Sequence, residues 1–559
     1  MRRRRGAAWL AAAMLAAAAA CEPGATGGGG GERQDGLGSP PPIDPYAGPT
    51  SSWTAEWTLL VYAANDVRDP ALVAAFDSDA LEWQRGLGGS ALFRILVERD
   101  FAPSQADPGG ESQRPSERYG LYREQPFDPS APAPDDPEEG VCSALPLGET
   151  DSSDPATLER FLVDGIRRFP AKHYWVIVTG HGDGWNGLAY DATSGPDRRL
   201  SVAGLRRALR AGADVIEHDI RRRPGLGGPG TSDRIDIVQF DVCRLGAVEV
   251  AASLEDVADT MVASQEVVPD AGHPYSALRY IAQDPAGVTP RALVPAIVTE
   301  YVRSYVAGVS TQDRAYVGTS VTSVGLDLRR MRPLVAALAR LRSAVRVHRP
   351  AGFTCAEVRA LADQAAARAG IAGERDRPAP LRVASGRATP ASRAALDLVA
   401  LLEELSDPAR LGPGASLLPR VSLGTALSAR AALSVIGRPP FWTPAEPSGN
   451  ALRYGGQYRE MVSFNPGGPF LVEAQRVDPG TATRTRGLSV LWGDPLDLLV
   501  DDGGGDAPID VYRRLPFEAM TGWTGLFEAC LAQAQACLSW SPDPAAPGAP
   551  SPCEGLGVD

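Results

Sequence analysis

Short apolar segments alternate with helical segments through the first half of the chain, and this alternation constrains the fold more than any other feature. The apolar segments are rich in β-branched and aromatic residues, as expected of strands buried on both faces of a sheet. They cover 59–63, 93–97, 174–178, 235–240 and 260–264. Strands that alternate with helices form a parallel sheet with helices on both faces. The sequence therefore predicts an α/β sandwich with a mostly parallel central sheet flanked by helices.

The segments between the strands carry helix signals. Asp154 and Pro155 form a cap and first-turn pair that predicts a helix through residue 168, and Ser201 predicts the start of a helix that ends near residue 211. Further helices are predicted over 71–87 and from 247 to about 256. A stretch rich in proline and acids over 102–153 predicts a surface excursion or a hairpin.

The pattern changes near residue 326. Helices rich in arginine and alanine are predicted over 328–346, 355–369 and 392–405, and the best later strand is 487–492. At 559 residues the chain is also long for one compact domain. We therefore expect an α/β domain over 53–328 and a C-terminal α+β domain over 329–559.

The N-terminus has the form of an export signal. Four arginines follow Met1, an apolar run covers 7–20, and small residues lead into Cys21. This pattern predicts a signal peptide over 1–20, and it resembles the lipobox that leads to lipidation of a cysteine such as Cys21. The Gly- and Pro-rich residues 21–52 then form a flexible tether. We expect an exported lipoprotein anchored to the bacterial cell envelope; the alternative is an ordinary signal peptide in which Cys21 is incidental.

Charge and cysteine spacing exclude some classes of function. The net charge of −13 argues against a nucleic-acid partner. No C-x-x-C pair occurs, which argues against a structural zinc site. Outside the cytoplasm disulfides are permitted, and the cysteines crowded near the C-terminus are the expected source of one: Cys530, Cys537 and Cys553.

Two predicted strands end in residues that together could perform nucleophilic catalysis. His181 and Gly182 follow one strand, and Cys243 follows the next. Ligands of open parallel sheets bind beyond the carboxyl ends of the strands, and an imidazole beside a thiol promotes the thiolate and protonates a leaving amine. The N–H groups of Gly182 and Cys243 are candidate donors to an oxyanion. The alternative is a buried packing cysteine and a hydrogen-bonded loop histidine.

These segments, in this order, resemble the clostripain-related cysteine peptidases, a branch of the caspase-like clan. The resemblance runs from about residue 55 to 530, and its specific parts are WTLLVYAAND, HYWVIVTGHGDGW, IDIVQFDVCRLGAVEV and VASQEVVPDAGHPY, at 57–66, 173–185, 235–250 and 262–275. It implies a caspase-like sandwich and an endopeptidase that works through an acyl-enzyme, with Cys243 as nucleophile and His181 as partner.

The resemblance also implies cleavage after arginine, or lysine, through an acidic pocket. Asp241 stands two residues before the cysteine, where such an acid is expected, and Asp270 is a second candidate. Three features depart from the family pattern: Arg244 replaces an apolar residue, Gln265 takes the place of an acid, and His273 replaces an aromatic residue. Arg244 could lower the pKa of the thiol or repel a basic substrate.

Relatives often cut themselves between the histidine and cysteine blocks, and some need calcium. Suitable bonds follow Arg198, Arg199, Arg222 and Arg223, although all four could be ordinary surface arginines. The chemistry itself implies no cofactor, and the loosely spaced acids Asp183, Asp191 and Asp197 assign no calcium site. We expect a monomer that acts on peptides or proteins. The rival hypotheses are an inactive surface-anchored binding lipoprotein on the same fold and a transpeptidase that uses the same two residues.

Overall fold

The computed structural model describes residues 54–66, 92–101, 116–121, 141–195, 198–305, 321–368, 395–437, 453–454, 458–464, 469–477, 488–492, 495–499, 507–540, 551–553 and 556, with scattered positions between 75 and 86. Cys21, the signal peptide and the tether predicted from the sequence lie outside these residues, as does Asp197. Of the helix predicted over 71–87 only scattered positions are described.

Strands and helices alternate in the order that the sequence indicated. The strands are β1 Ala55–Asn65, β2 Phe93–Phe101, β3 Ser116–Leu121, β4 Val141–Gly148, β5 Ala171–Gly180, β6 Leu188–Tyr190, β7 Arg199–Leu200, β8 Ile235–Asp241, β9 Ala258–Ala263, β10 Val321–Asp327, β11 Ala395–Asp397, β12 Arg453–Tyr454, β13 Tyr458–Phe464, β14 Phe470–Val477 and β15 Ser489–Leu491. The α-helices are α1 Pro155–Arg168, α2 Val202–Val215, α3 Val248–Ser253, α4 Leu278–Gln283, α5 Pro290–Ser304, α6 Met331–His348, α7 Cys355–Arg368, α8 Leu398–Ser406, α9 Leu423–Ile436, α10 Pro495–Leu499, α11 Pro508–Arg513, α12 Pro516–Thr521 and α13 Glu528–Leu538.

The centre of the molecule is a mostly parallel sheet. Strands β2, β1, β5, β8 and β9 run parallel in that order, and β10 pairs antiparallel with β9. All seven residues of β8 are buried, because the sheet is covered on both faces. The predicted caspase-like sandwich, a mostly parallel sheet flanked by helices, is confirmed.

Antiparallel strands extend this sheet at both edges. The stretch over 102–153 contributes the hairpin of β3 and β4, which pairs with β2 and confirms the hairpin alternative. At the other edge β14, β13 and β12 continue from β10. The division into domains at residue 328 stays a prediction; the sheet itself continues across that position, and buried residues on both sides of it share one apolar core.

The predicted helix starts were largely right. Asp154 accepts a hydrogen bond from the Ala156 N–H at the start of α1, and Ser201 does the same for Gly204 in α2. The helix predicted over 392–405 was wrong at its start: α8 begins at Leu398, because Asp397 is its cap and residues 395–397 form β11 beside β15.

Two disulfides tie the C-terminal half together. Cys355 is joined to Cys530, and Cys537 to Cys553. The predicted involvement of the C-terminal cysteines is thus confirmed, with Cys355 as a partner that the spacing did not indicate. Within the described part of the chain, no helix is both long enough and apolar enough to cross a membrane.

Candidate active site

His181 is delivered by the end of a central strand. Strand β5 ends at Gly180, whose φ of +131° suits glycine and whose position would bring any Cβ to 2.5 Å from the Ala64 carbonyl oxygen on β1. The chain therefore turns sharply at this point, and His181 follows, half-buried, at the carboxyl edge of the sheet. Its carbonyl oxygen accepts a hydrogen bond from the Ala189 N–H, which fixes the backbone of the loop.

Cys243 is delivered by the neighbouring strand. Strand β8 ends at Asp241, and the cysteine side chain two residues later is buried and not in a disulfide. Its Sγ lies 3.7 Å from the Val268 carbonyl oxygen, to which the thiol donates. The pKa of the Cys243 thiol is raised to about 11, chiefly by burial; the Val268 contact and Arg244 act to lower it, and Asp270 and Asp241 to raise it. At neutral pH the resting group is therefore the thiol.

The parallel register brings the two loops together. Thr179 pairs with Asp241, so that His181 and Cys243 stand equally far beyond the paired ends of adjacent strands. A Cβ on Gly182 would lie 2.6 Å from the Cys243 carbonyl oxygen, which leaves room only for glycine and places the two backbones in contact. The structure thus joins the histidine loop, Gly182 and the cysteine loop at one edge of the sheet.

Asp241 lies in a buried polar pocket beside the cysteine. Its Oδ2 accepts hydrogen bonds from the His273 N–H at 3.0 Å and the Tyr275 hydroxyl at 2.7 Å. Its Oδ1 is also buried, and no described residue donates to it. Gly272, with a φ of +62°, comes so close that a Cβ there would lie 2.7 Å from Oδ2. One carboxylate oxygen is therefore held in place, and the other is buried without a donor among the described residues.

Asp79 is a second acid of this pocket that sequence reasoning missed. It is buried, and burial raises its pKa well above the usual value, with further contributions from Asp241 and Glu82. A signal existed in the helical spacing, since Asp79 shares one buried stripe with Phe76 and Trp83, where an apolar residue would ordinarily stand. Trp83 packs edge-on against Tyr275, which closes this side of the pocket.

The three other residues that the sequence analysis named near the cysteine, Asp270, His273 and Gln265, lie in different surroundings. Asp270 is half-buried in the loop beyond Val268 and close enough to raise the pKa of the Cys243 thiol. His273 is buried and stacks on Tyr301 with ring centroids 4.0 Å apart; no described residue is bonded to either ring nitrogen, and burial lowers its pKa. Gln265 points away from this pocket and donates to Asp397 at 3.1 Å.

The C-terminal part of the chain contacts both loops of the site. The Ser489 N–H of β15 donates to the Gly246 carbonyl oxygen at 2.8 Å. Glu249, on the helix that follows the cysteine, accepts from the Leu491 N–H at 2.7 Å and from the Tyr512 hydroxyl at 2.9 Å. The Tyr512 ring packs edge-on against Trp185 of the histidine loop, 5.1 Å between centroids. We call the contacts of β15 and Tyr512 the C-terminal brace.

The arginines between the two blocks differ in exposure. Arg199 lies in β7 and donates from Nε to the Asn186 carbonyl oxygen at 2.7 Å, and the half-exposed Arg198 pairs with Asp151 at 3.0 Å. Arg222 is exposed and Arg223 half-buried in the turns that follow α2, next to Arg221, whose guanidinium is bonded to four backbone carbonyl groups: Ala171, Lys172, Leu226 and Ser232.

Three buried carboxylates could hold a metal ion. Oxygen atoms of Asp66, Asp100 and Asp191 all lie within 4.8 Å of one another, at the ends of β1, β2 and β6. All-oxygen donors suit a hard cation such as calcium. The Thr193 hydroxyl donates within the same cluster, whereas Asp183 instead accepts from Asn186. Of the acids considered from sequence, the structure places only Asp191 in this group.

The site can be compared with known proteins. Residues 141–348, a little over a third of the chain, match the model of the Clostripain family. No curated protein matches the chain significantly. A secreted C11 cysteine protease from Bacteroides thetaiotaomicron, solved with an irreversible peptide inhibitor, is 15% identical with a TM-score of 0.46, covering 84% of this chain and 99% of that one.

An inactive zymogen C11 protease from Parabacteroides distasonis is also 15% identical, with a TM-score of 0.44 and the same coverage of 84% and 99%. Both TM-scores are under 0.5, so neither likeness carries an argument about the chemistry. The family match covers the strands that deliver His181 and Cys243, and it confirms the resemblance seen in the sequence. By this match residues 141–348 are similar to the Clostripain family, and the chain is a cysteine peptidase.

Proposed function

We propose that the chain is an endopeptidase in which Cys243 is the nucleophile and His181 its acid–base partner. The observation that carries the proposal is the close contact between Gly182 and the Cys243 backbone, which brings the loops of both residues to one edge of the sheet. A buried thiol with a raised pKa needs a base at the moment of attack, and an imidazole is the usual one.

The reaction then proceeds through a thioester. The imidazole accepts the thiol proton while sulfur attacks the peptide carbonyl carbon, and the N–H groups of Gly182 and Cys243 bind the oxyanion. The imidazolium returns the proton to the leaving amine as the C–N bond breaks. Water, deprotonated by the imidazole, then attacks the thioester, and the carboxylic acid leaves as the thiol re-forms. No step requires a cofactor.

We propose that the residue before the cleaved bond is arginine or lysine, bound by Asp241 with Asp79 and Asp270 nearby. Support comes from the buried Oδ1 of Asp241, to which no described residue donates and which could accept from a guanidinium. We expect Asp241→Asn to lower kcat/KM for an arginine peptide about 10- to 100-fold, the effect of one charge-assisted hydrogen bond. Asp270→Asn is the matched comparison. An equal loss on a peptide with a neutral residue there would contradict a role in specificity.

Self-processing is also part of the proposal, and the local backbone favours the bonds after Arg222 and Arg223. Both lie in turns, whereas Arg199 is held within a strand. We expect wild-type protein to yield a fragment whose N-terminus is residue 223 or 224, and Cys243→Ala protein to stay intact. Replacing Arg222 and Arg223 by alanine should prevent the cut, while replacing Arg198 and Arg199 should not. An intact wild-type chain with full activity would contradict self-processing.

Calcium enters the proposal as a structural ion at Asp66, Asp100 and Asp191. The buried Oδ1 of Asp66 has no hydrogen-bond partner among the described residues. A cation there would tie the end of β6, which follows the histidine loop, to β1 and β2. We expect calcium added after chelation to raise the Tm of the wild type and not that of Asp191→Asn. A Tm that does not respond in either protein would contradict the site.

We propose export and lipidation at Cys21. The two disulfides support an oxidising compartment. Expression of the full chain and of Cys21→Ala with a labelled fatty acid tests the anchor: only the wild type should incorporate label and stay with membranes. Label in both would contradict lipidation at Cys21.

A peptidase assay separates the rival functions. Protein lacking residues 1–52 is incubated with peptides that carry arginine, lysine or a neutral residue before a reporter amide, beside Cys243→Ala. Hydrolysis that disappears in the variant supports the proposal. Transfer of the acyl group to an added amine in preference to water would indicate a transpeptidase, and binding without cleavage would indicate the inactive binding protein. Sedimentation of the same sample tests the expected monomer.

A further inference from the structure

Arg244 is a buried cation that no described residue pairs with, directly beside the proposed nucleophile. Its side chain is 5% exposed, its Nε is fully buried, and it makes no hydrogen bond or ion pair with any residue that the structure describes. A guanidinium keeps its charge in proteins, and a buried charge without a partner is costly. Such a group is stabilised as soon as an anion reaches it.

No described acid makes a hydrogen bond or an ion pair with the Arg244 side chain. Asp241 is engaged through Oδ2 with His273 and Tyr275, and Glu249 is engaged through Oε1 with Leu491 and Tyr512. The Cys243 thiol, which Arg244 does affect electrostatically, holds its proton at neutral pH because burial raises its pKa to about 11. The described part of the resting protein therefore places no anion in direct contact with this guanidinium.

The backbone holds Arg244 in place at a cost. Its φ is +65°, in the left-handed region that disfavours residues with a Cβ. The conformation is fixed from both sides: the Arg244 N–H donates to the Glu266 carbonyl oxygen at 3.1 Å, and a Cβ on Gly184 would lie 3.2 Å from the Arg244 carbonyl oxygen. Strain and an unpaired charge at one residue, beside a reactive thiol, indicate a functional group.

We propose that Arg244 is a binding subsite for a carboxylate of the substrate, carried by an aspartate or glutamate within two residues of the cleaved bond. This inference rests on the proposed function, because Cys243 marks where the bond is cut. The planar guanidinium matches a carboxylate with two parallel hydrogen bonds. With Asp241 on the same site, the preferred substrate carries a basic residue at the cut and an acidic one beside it.

The test compares pairs of peptides that differ only in glutamate against glutamine. Each pair has arginine before the cleaved bond and the variable residue at one of the two nearest positions on either side. For wild type we expect kcat/KM to favour glutamate at least tenfold at one position. In Arg244→Leu that ratio should fall to about one, and Arg244→Lys should retain part of it. Any general effect of the substitution cancels in the ratio.

The outcomes that overturn the inference are distinct. A wild-type ratio near one at every position, or a glutamate preference that persists in Arg244→Leu, removes the subsite. An equal loss on both peptides of a pair in Arg244→Leu also overturns it, and assigns Arg244 to the thiol. If wild type cleaves neither peptide, the proposed function fails. The subsite can still be tested by measuring the Kd of both peptides of the pair for Cys243→Ala by calorimetry. The proposal requires the glutamate peptide to bind more tightly than the glutamine peptide.

Discussion

Among single residues, Asp79 has a measurable consequence. Burial raises its pKa well above the usual value, and a guanidinium beside it would lower that pKa again, so that the protonated fraction of this carboxyl falls on binding. We therefore expect an arginine peptide amide to release a proton on binding Cys243→Ala, seen as a binding enthalpy that changes with the ionisation enthalpy of the buffer. Adding Asp79→Asn should remove this dependence. If the binding enthalpy depends on the buffer to the same extent with and without Asp79→Asn, Asp79 does not lie beside the bound arginine.

The sequence was sufficient to predict functional residues that stand directly after a strand, but not those that tertiary packing brings to the site. His181 and Cys243 stand after recognisable apolar runs, so a parallel sheet places them together. Asp79 is close enough to Asp241 for that carboxylate to raise its pKa, although the two residues lie far apart in sequence, and no local pattern indicates this proximity. The sequence showed that Arg244 was unusual, but its burial and missing partner depend on surroundings assembled by tertiary structure.

Among elements, the C-terminal brace should position the histidine loop. Tyr512 touches Trp185 with its ring and Glu249 with its hydroxyl, and so connects the segments after His181 and Cys243. We expect Tyr512→Ala to lower kcat at least tenfold with a smaller effect on KM, because the loop loses its support. Tyr512→Phe keeps the ring and should retain most of the activity. If Tyr512→Ala lowers the Tm and leaves kcat unchanged, the C-terminal brace stabilises the fold and does not position the histidine loop.

Glu249 should make stability depend on pH. Burial raises its pKa to about 7, and the nearby Glu518 acts in the same direction. A carboxyl whose folded-state pKa is raised binds its proton more tightly in the folded protein, so its contribution is complete below about pH 4.5 and is lost as pH rises through 7. Replacing it by glutamine should remove a pH-dependent part of the free energy of unfolding of roughly 3 kcal/mol.

The measurement is chemical denaturation of both proteins between pH 4 and 8. The wild type should lose stability relative to Glu249→Gln between about pH 4.5 and 7. Parallel curves for the two proteins would show that the Glu249 carboxyl has an ordinary pKa. The comparison of two proteins is needed because Glu98 is also buried with a pKa raised to about 8.

For the whole molecule, the disulfides should contribute unequally. Cys355–Cys530 spans 175 residues of sequence and Cys537–Cys553 only 16, and a longer closed loop restricts the unfolded chain more. We expect removal of the first pair by alanine substitution to cost roughly 3–5 kcal/mol and removal of the second about 2–3 kcal/mol. Denaturation of the two double variants beside wild type measures this. A larger loss for the short loop would contradict the order.

The whole-molecule topology was the part least accessible from sequence. The parallel centre follows from alternating strands and helices, but the pairing of β14 with β10 joins strands about 150 residues apart in the chain. Such non-local pairing leaves no local pattern. Cys355, likewise, is distant in sequence from the cysteine it bonds.

The central claim is that Cys243 attacks the substrate with the help of His181. An acyloxymethyl ketone that carries a peptide ending in arginine, incubated with the protein lacking residues 1–52, tests it by intact and tandem mass spectrometry. The account predicts one adduct per chain, located on Cys243, absent from Cys243→Ala and formed at least a hundredfold more slowly in His181→Ala. An adduct that persists in Cys243→Ala, or one formed at the wild-type rate in His181→Ala, would contradict it.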